Sequence, residues 1–232
     1  MASRPRPIIA IDGPAGAGKS TVARKLADTL GFLLVDTGAM YRVVAHAAER
    51  AGIARDDEAA VGDLAHALVA RRALTFESDP RNGVRVHLDG ADVTDAIRTP
   101  DAAMGASTVS AYRAVRDALL DMQRQAGQLG GAVLEGRDIG TVVFPDAEVK
   151  FFLTARPEVR ARRRFDELVA KGARVTFDET LRDVRERDKQ DTTRPVAPLR
   201  QAPDATLIDS SDISIDETVR RMVERVRGGS AR

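Results

Sequence analysis

The sequence of 232 residues contains no cysteine and no tryptophan, three histidines and an aromatic content of 4%. Without cysteine there is no disulfide scaffold and no thiol chemistry, and the commonest soft metal ligand is missing. The histidines, His46, His66 and His87, are scattered and make no zinc pattern. With so few rings, Leu, Val, Ala and Ile must fill the core, for which a hydrophobic content of 43% is ample. No apolar run approaches the roughly 20 residues of a membrane span. The opening MASRPRPIIAIDG enters a turn too soon for a signal peptide and reads as a first strand, so a soluble, cytoplasmic protein is expected. Net charge is small as well, at +1, which argues against long-range attraction to nucleic acid or an anionic membrane.

What the sequence has in abundance is arginine, 31 residues against 5 lysines. The planar guanidinium fork matches phosphate and carboxylate. High arginine usage is also a common compositional bias, so placement has to decide its meaning.

Along the chain, Ile8–Asp12 reads as a buried strand running into glycine turns, and residues 19–30 as a helix stopped by Gly31. Residues 32–35 read as a second strand and 39–51 as a second helix. This alternation predicts a parallel α/β sheet. Residues 57–72 have helical periodicity. Residues 73–78 and 84–88 alternate, joined by a hairpin turn of sequence Asp-Pro-Arg-Asn-Gly. A second turn at Asp89-Gly90 leads to Val93 and Ile97. Residues 62–98 therefore read as a small antiparallel lobe inserted in the α/β chain. Residues 100–127 form a long helical region, 132–135 and 149–153 two further strands, and 157–171 an arginine-rich helix. Thr176 and Glu179 make a capping box for a helix near 178–190. Residues 206–209 are a fifth strand and 214–227 a last helix. The termini, 1–6 and 228–232, are expected to be disordered.

Gly13-Pro14-Ala15-Gly16-Ala17-Gly18-Lys19-Ser20 fits G-x-x-x-x-G-K-[ST], placed between a strand and a helix as that motif requires. Glycines let successive N–H groups converge on phosphate oxygens, and the helix that follows offers free donors and a positive dipole end. Lys19 would reach the β- and γ-phosphates of ATP, and Ser20 would hold Mg²⁺ through its hydroxyl. Thr21 completes the loop's contacts. A phosphate loop also occurs in GTPase switches and large ATPases. No guanine-reading N-K-x-D follows a strand; Asp188-Lys-Gln-Asp191 lacks the Asn and lies on a helix. The strand ending in Asp36 could supply a metal carboxylate, but it comes too early for the usual ATPase arrangement.

A phosphotransferase must hold an acceptor as well. Asp36-Thr37-Gly38-Ala39-Met40-Tyr41-Arg42 follows the second strand, and Gly136-Arg137-Asp138 follows the third. Ligands in parallel sheets bind beyond the carboxyl ends of strands. Thr37, Arg42, Arg137 and Asp138 are therefore candidates for one cleft with the glycine loop, with two guanidinium groups able to clamp an acceptor phosphate. A solvated helix arginine at 42 and a loop-to-helix ion pair at 137 are the plainer alternatives. Arg160, Arg163 and Arg164 share a helix face, with Glu158, Asp166 and Glu167 as the nearby acids in sequence. Facing a polyphosphate they would stabilise charge on a transferring group, and the segment 156–175 would act as a lid. A solvated basic face is the alternative. Arg187 and Asp191 stand at i, i+4, which alone suggests a surface ion pair.

Taken together, IDGPAGAGKST (11–21), DTGAMYR (36–42), IRTPDAAMGASTVSAYRAVR (97–116), EGRDIGTVVFPDA (135–147), RARRR (160–164), ERDKQDTTRPVAPL (186–199) and IDSS (208–211) resemble the bacterial cytidylate kinases over nearly the whole chain. The resemblance implies a single nucleoside monophosphate kinase domain. Its expected parts are a five-stranded parallel sheet, an acceptor lobe over 37–100 carrying the antiparallel insert, and the lid. It implies ATP and Mg²⁺, CMP and dCMP as acceptors, and a monomer with no nucleic-acid or membrane partner. It also implies that Arg42 and Arg137 bind the acceptor phosphate and that Tyr41 belongs to the acceptor site. By the same likeness Thr37, Ser107, Arg116, Asp138 and Arg194 form the cytosine pocket. Arg187 and Asp191 touch the sugar, and Lys19, Arg160, Arg163 and Arg164 act in catalysis. Thr37 departs from the family, where Ser is frequent; the hydroxyl is kept and a methyl added.

The base chemistry agrees. Cytosine offers an amino donor to a carboxylate such as Asp138 and ring acceptors to a guanidinium such as Arg116. Uracil reverses both, so discrimination against UMP is expected. A small kinase for UMP, dTMP or a non-nucleotide acceptor, and a nucleotide-gated switch, remain the alternative readings.

Overall fold

A computed structural model describes residues 4–79 and 83–229. Strand β1 (Ile8–Asp12) feeds the glycine loop, which opens α1 (Lys19–Leu30); Gly31, in the left-handed conformation, ends that helix where expected. β2 (Leu33–Asp36) passes straight into α2 (Thr37–Arg50). The Asp36 side chain accepts the Ala39 N–H, and this cap starts the helix two residues before the apolar periodicity suggests. α3 (Glu58–Ala70) is capped in the same way by Asp57. β3 (Leu74–Asp79) and β4 (Gly83–Leu88) pair antiparallel with Leu74 opposite Leu88, and the short β5 (Ala91–Asp92) completes a three-stranded sheet. The tip of the expected hairpin turn, residues 80–82, lies outside the described residues.

The region 100–127 is two helices, α4 (Pro100–Val109) and α5 (Arg113–Gly127). Between them Ser110 Oγ donates to the Ser107 carbonyl, and the Ala111 and Tyr112 N–H groups reach back only three residues. This local bonding competes with helix propagation and turns the chain. After β6 (Ala132–Gly136) comes a π-helical turn, Ile139–Val143, which hydrophobic periodicity did not reveal. β7 (Val149–Thr154), α6 (Pro157–Ala170) and α7 (Phe177–Thr193) follow, and both halves of the Thr176/Glu179 capping box are formed. β8 (Thr206–Asp209) precedes α8 (Ile215–Gly229), which takes in positions 228 and 229 of the expected disordered tail. At the other end the Arg6 carbonyl accepts the Gly131 N–H, so position 6 is also engaged.

Five strands form a parallel sheet in the order β2-β6-β1-β7-β8, and β3-β4-β5 form a separate antiparallel sheet. The chain divides into two compact units. One comprises residues 4–8 and Leu33–Leu134, and contains the expected acceptor lobe. Its α3 packs on α5 and its α2 on α4. A Cβ at Gly62 would lie 2.7 Å from the Ala114 Cβ, so the glycine sets how closely α3 approaches α5. Val43, Val44, Leu68 and Leu119 fill this core. The other unit comprises Ile9–Phe32 and residues 135–229, and contains the glycine loop and the expected lid. Here β1 pairs with β7 (Ile9 opposite Val149) and β7 with β8 (Phe151 opposite Thr206). α1 packs on α8 and α6 on α7, around Ile9, Ile11, Leu26, Phe151, Leu153 and Met222.

Candidate active site

The glycine loop lies tight against β7. A Cβ on Gly13 would fall 1.9 Å from the Leu153 carbonyl oxygen, so no other residue fits there without moving backbone. α1 starts at Lys19 with no side-chain cap, which leaves its first-turn N–H groups and dipole for an anion held by the loop. The Lys19 side chain, 6% exposed, folds back to donate to the Pro14 carbonyl at 2.8 Å. Burial drives its pKa well below the ordinary lysine value, and Arg137 and Arg187 add repulsion that Glu135 and Asp191 oppose. An anion at this spot would relieve the strain on the ammonium charge. The exposed Ser20 donates from its hydroxyl to Glu135 Oε2 at 2.9 Å. That pair supplies hard oxygen donors suited to Mg²⁺, which keeps several waters and takes phosphate oxygens as its other ligands. Asp36, considered from sequence as a strand-end metal carboxylate, instead caps α2 and pairs with Arg42. Glu135 had gone unassigned, although a carboxylate closing the buried run of β6 was the available signal.

The turn after β6 lies in the same electrostatic field. Arg137 Nε donates to Asp191 Oδ2 at 2.8 Å and Arg137 Nη1 to its neighbour's carbonyl, Gly136 O, at 3.3 Å. The plain loop-to-helix ion pair foreseen for Arg137 therefore exists, with Asp191 of α7 as its partner. Asp191 is 4% exposed, so its reading as part of a surface pair with Arg187 is overturned. Burial alone would push the Asp191 carboxyl up, but Arg137, Arg187 and Arg194 together hold it below the usual carboxylate range. Arg194 is buried, donating to the Ala197 carbonyl at 2.6 Å and lying 3.5 Å from Asp138 Oδ1. Asp138 and Arg194, both singled out from sequence, are thus brought side by side.

The three arginines expected in a lid do not share one environment. Arg160, almost fully buried, makes a bidentate pair with Asp188 of α7 at 2.6 and 2.9 Å and also donates to the Ala15 carbonyl of the glycine loop at 3.1 Å. A Cβ on Gly16 would lie 3.3 Å from the Arg160 Cβ, so α6 packs directly on the loop. Arg163 donates to the Ser210 carbonyl at 2.6 Å, and Arg164 pairs with Glu167. The like charges that these arginines bring to one helix are therefore largely met by protein partners, chiefly Asp188, which is distant in sequence.

The other compact unit holds the remaining candidates. Arg42 Nη2 pairs with Asp36 Oδ2 at 2.7 Å, while its buried Nε has no hydrogen-bond partner among the described residues. Arg42 is thus not a freely solvated helix arginine. Thr37, the first residue of α2, is buried. The Arg116 guanidinium stacks over the Tyr41 ring at 5.6 Å and donates to the Ser110 carbonyl, one turn beyond Ser107. Gln123 Nε2 donates to the Tyr41 hydroxyl at 3.3 Å and so braces the ring that supports Arg116. Gln123 was not picked out from sequence; its spacing of seven residues from Arg116, on one helix face, was the signal.

A family model described as cytidylate kinase matches residues 9–228. The chain is similar to a cytidylate kinase of Geobacter sulfurreducens, 54% identical over 95% of this chain and 92% of the relative. It is also similar to one of Pelotomaculum thermopropionicum, 50% identical over 96% and 97% of the two chains. Among solved structures, an uncharacterized protein from Eubacterium ventriosum shares the fold, with a TM-score of 0.51 at 13% identity over 96% of this chain and 99% of that one. On the strength of the family match and these identities, the chain belongs to the cytidylate kinase family.

Proposed function

We propose that this protein transfers the γ-phosphoryl group of ATP to CMP and dCMP, giving ADP and CDP or dCDP. The observation that carries the reading is the ion pair of Arg137 with the buried Asp191, which lies close enough to the buried Lys19 that both residues bear on its charge. A nucleotide switch needs a phosphate loop; it does not need a second set of arginines and a buried carboxylate beside the P-loop lysine. Family membership supplies CMP as the acceptor.

The acceptor oxygen belongs to a phosphate whose second ionisation lies near pH 6, so no general base is required at neutral pH. Catalysis reduces to positioning and charge stabilisation. In this reading the loop amides and Lys19 hold the β- and γ-phosphates, and Arg42 and Arg137 clamp the CMP phosphate in line. Arg187 and Asp191 hold the sugar. Thr37, Ser107, Arg116, Asp138 and Arg194 read cytosine, with Tyr41 as the platform for Arg116. Arg160, Arg163 and Arg164 steady charge on the moving group and exclude water. Ser20 and Glu135 would hold Mg²⁺, which would supply charge neutralisation when bound. The reading further includes a monomer acting in the cytoplasm, without nucleic-acid or membrane partners. Among the described residues no helix is long and apolar enough to cross a membrane.

The test is a panel of CMP, dCMP, UMP, dTMP, AMP and GMP with ATP, read by product analysis. ADP with CDP from CMP, and poor turnover of UMP, are expected. ADP with free phosphate, whatever the acceptor, would replace the kinase by an ATP-driven switch.

A further inference from the structure

Asp12 is the last residue of β1 and directly precedes the glycine loop, yet no role in binding ATP or CMP falls to it. It is 3% exposed. Its two carboxylate oxygens accept two successive backbone N–H groups, Oδ1 from Ile139 and Oδ2 from Gly140, each at 2.8 Å. Those N–H groups open the π-helical turn that begins immediately after Arg137 and Asp138. A Cβ on Gly140 would lie 3.1 Å from Lys150 Cδ and 3.4 Å from Asp12 Oδ2, so a larger residue there would press on both side chains and need them to shift. The Lys150 ammonium itself is committed to the Pro145 carbonyl and Asp204.

We propose that Asp12 is a positioning residue for the acceptor: its two-pronged grip on Ile139 and Gly140 fixes the Arg137–Asp138 turn in register with the root of the glycine loop. The proposal rests on the assignment of Arg137 and Asp138 to the acceptor site. Two adjacent N–H donors need two acceptor oxygens. An ionised aspartate provides both on one short stem, whereas asparagine provides one and turns an NH₂ donor against the second N–H. Burial pushes the Asp12 carboxyl up to about 6; the two N–H groups and Lys19 draw it down, while Asp138 adds to the rise. The charge is thus kept at neutral pH against its solvation preference, which fits a group retained for geometry and not for stability.

The test compares the full-length wild type with Asp12→Asn and Asp12→Ala. The readouts are CMP and ATP affinity by calorimetry, the latter with a non-hydrolysable analogue, steady-state kinetics, and thermal melts at pH 7. For Asp12→Asn we expect CMP binding weakened about tenfold or more, kcat lowered, and ATP-analogue binding within about twofold of wild type, since one charge-assisted hydrogen bond is lost on the acceptor side. The melting temperature should be equal to or above that of the wild type. CMP binding and kcat within about twofold of wild type would overturn the proposal, as would a parallel loss of CMP and ATP binding with a lowered melting temperature. If the wild type binds CMP without forming CDP, the kinase reading fails by itself, and the binding ratio still reports on Asp12.

Discussion

Lys19 is held by opposed influences, a loop carbonyl and two carboxylates on one side and burial with two arginines on the other. A γ-phosphoryl group placed there would satisfy the ammonium group, and most strongly as charge develops in transfer. Lys19→Met should therefore lower kcat by about 100-fold or more, the loss typical of removing one charge-stabilising donor. Calorimetry should find CMP affinity within about twofold of wild type, because the proposed mechanism gives this side chain no part in ground-state acceptor binding. An equal loss in CMP affinity would mean that Lys19 holds the acceptor. Asp138 should behave oppositely. Its carboxylate, beside Arg194, suits the exocyclic amino group of cytosine and repels the oxygen of uracil. Asp138→Ala should lower kcat/KM for CMP by about 100-fold and leave that for UMP less affected, so the CMP/UMP ratio contracts. A ratio unchanged in competition assays would remove Asp138 from base recognition. Residues such as Lys19 and Arg137 could be picked out as candidates from local context alone, a loop between strand and helix or a strand end. Glu135, Gln123 and the Asp188 partner of Arg160 could not, because each acquires its meaning from a partner more than 25 residues away.

Helix α7 shows what was legible at the level of elements. Thr176 accepts the Glu179 N–H at 3.2 Å and Glu179 returns a bond from the Thr176 N–H at 2.8 Å, a pattern written entirely within four residues. The break between α4 and α5 was hidden for the converse reason: Ser110 to Tyr112 have no glycine or proline, and what stops the helix is side-chain and carbonyl bonding that becomes visible only in three dimensions. The π-helical turn was hidden because its register depends on Asp12, from the far end of the chain. α7 carries Asp188 and Asp191, which anchor Arg160 and Arg137, so its N-terminal cap bears on the site. Thr176→Ala should cost about 1 kcal/mol of stability, seen in urea denaturation, with kcat for CMP little changed. Asp188→Asn should do the reverse. It leaves the helix intact but frees the buried Arg160 from a bidentate partner, and kcat should fall about tenfold while KM for CMP holds, since the Arg160 guanidinium loses its fixed aim at the glycine loop. If Asp188→Asn matches wild type in kcat, Arg160 acts through the Ala15 carbonyl and the loop packing alone.

For the molecule as a whole, Asp12 and Asp191 tilt stability in opposite directions with pH. Asp12 has its carboxyl raised from 3.8 to about 6 by burial, so the folded state keeps a proton that the unfolded chain has already lost. Stability attributable to it is full below about pH 4, declines as pH rises to about 6, and is constant beyond, a loss on the order of 3 kcal/mol. Asp191 is the contrary case. Its arginine partners hold the carboxyl below the ordinary aspartate range, so the stability it contributes is present above about pH 4 and is lost as pH falls further. The more exposed carboxylates with lowered values, such as Glu217 and Asp212, act in the same sense as Asp191, more weakly because water screens them. The two trends place the maximum of thermal stability near about pH 4. That point lies below the pH at which the acceptor phosphate and Asp12 are both ionised. Activity should therefore peak at a higher pH than stability, and the fold gives up stability where it works. Thermal melts from pH 3 to pH 8 check this directly. The Asp12→Asn chain should lose the decline between pH 4 and pH 6 and retain the acid collapse below it. A wild-type melting temperature that climbs steadily from pH 4 to pH 7 would show that the Asp12 carboxylate is not held against its solvation, and with it would go the reason for regarding that charge as a cost borne for geometry.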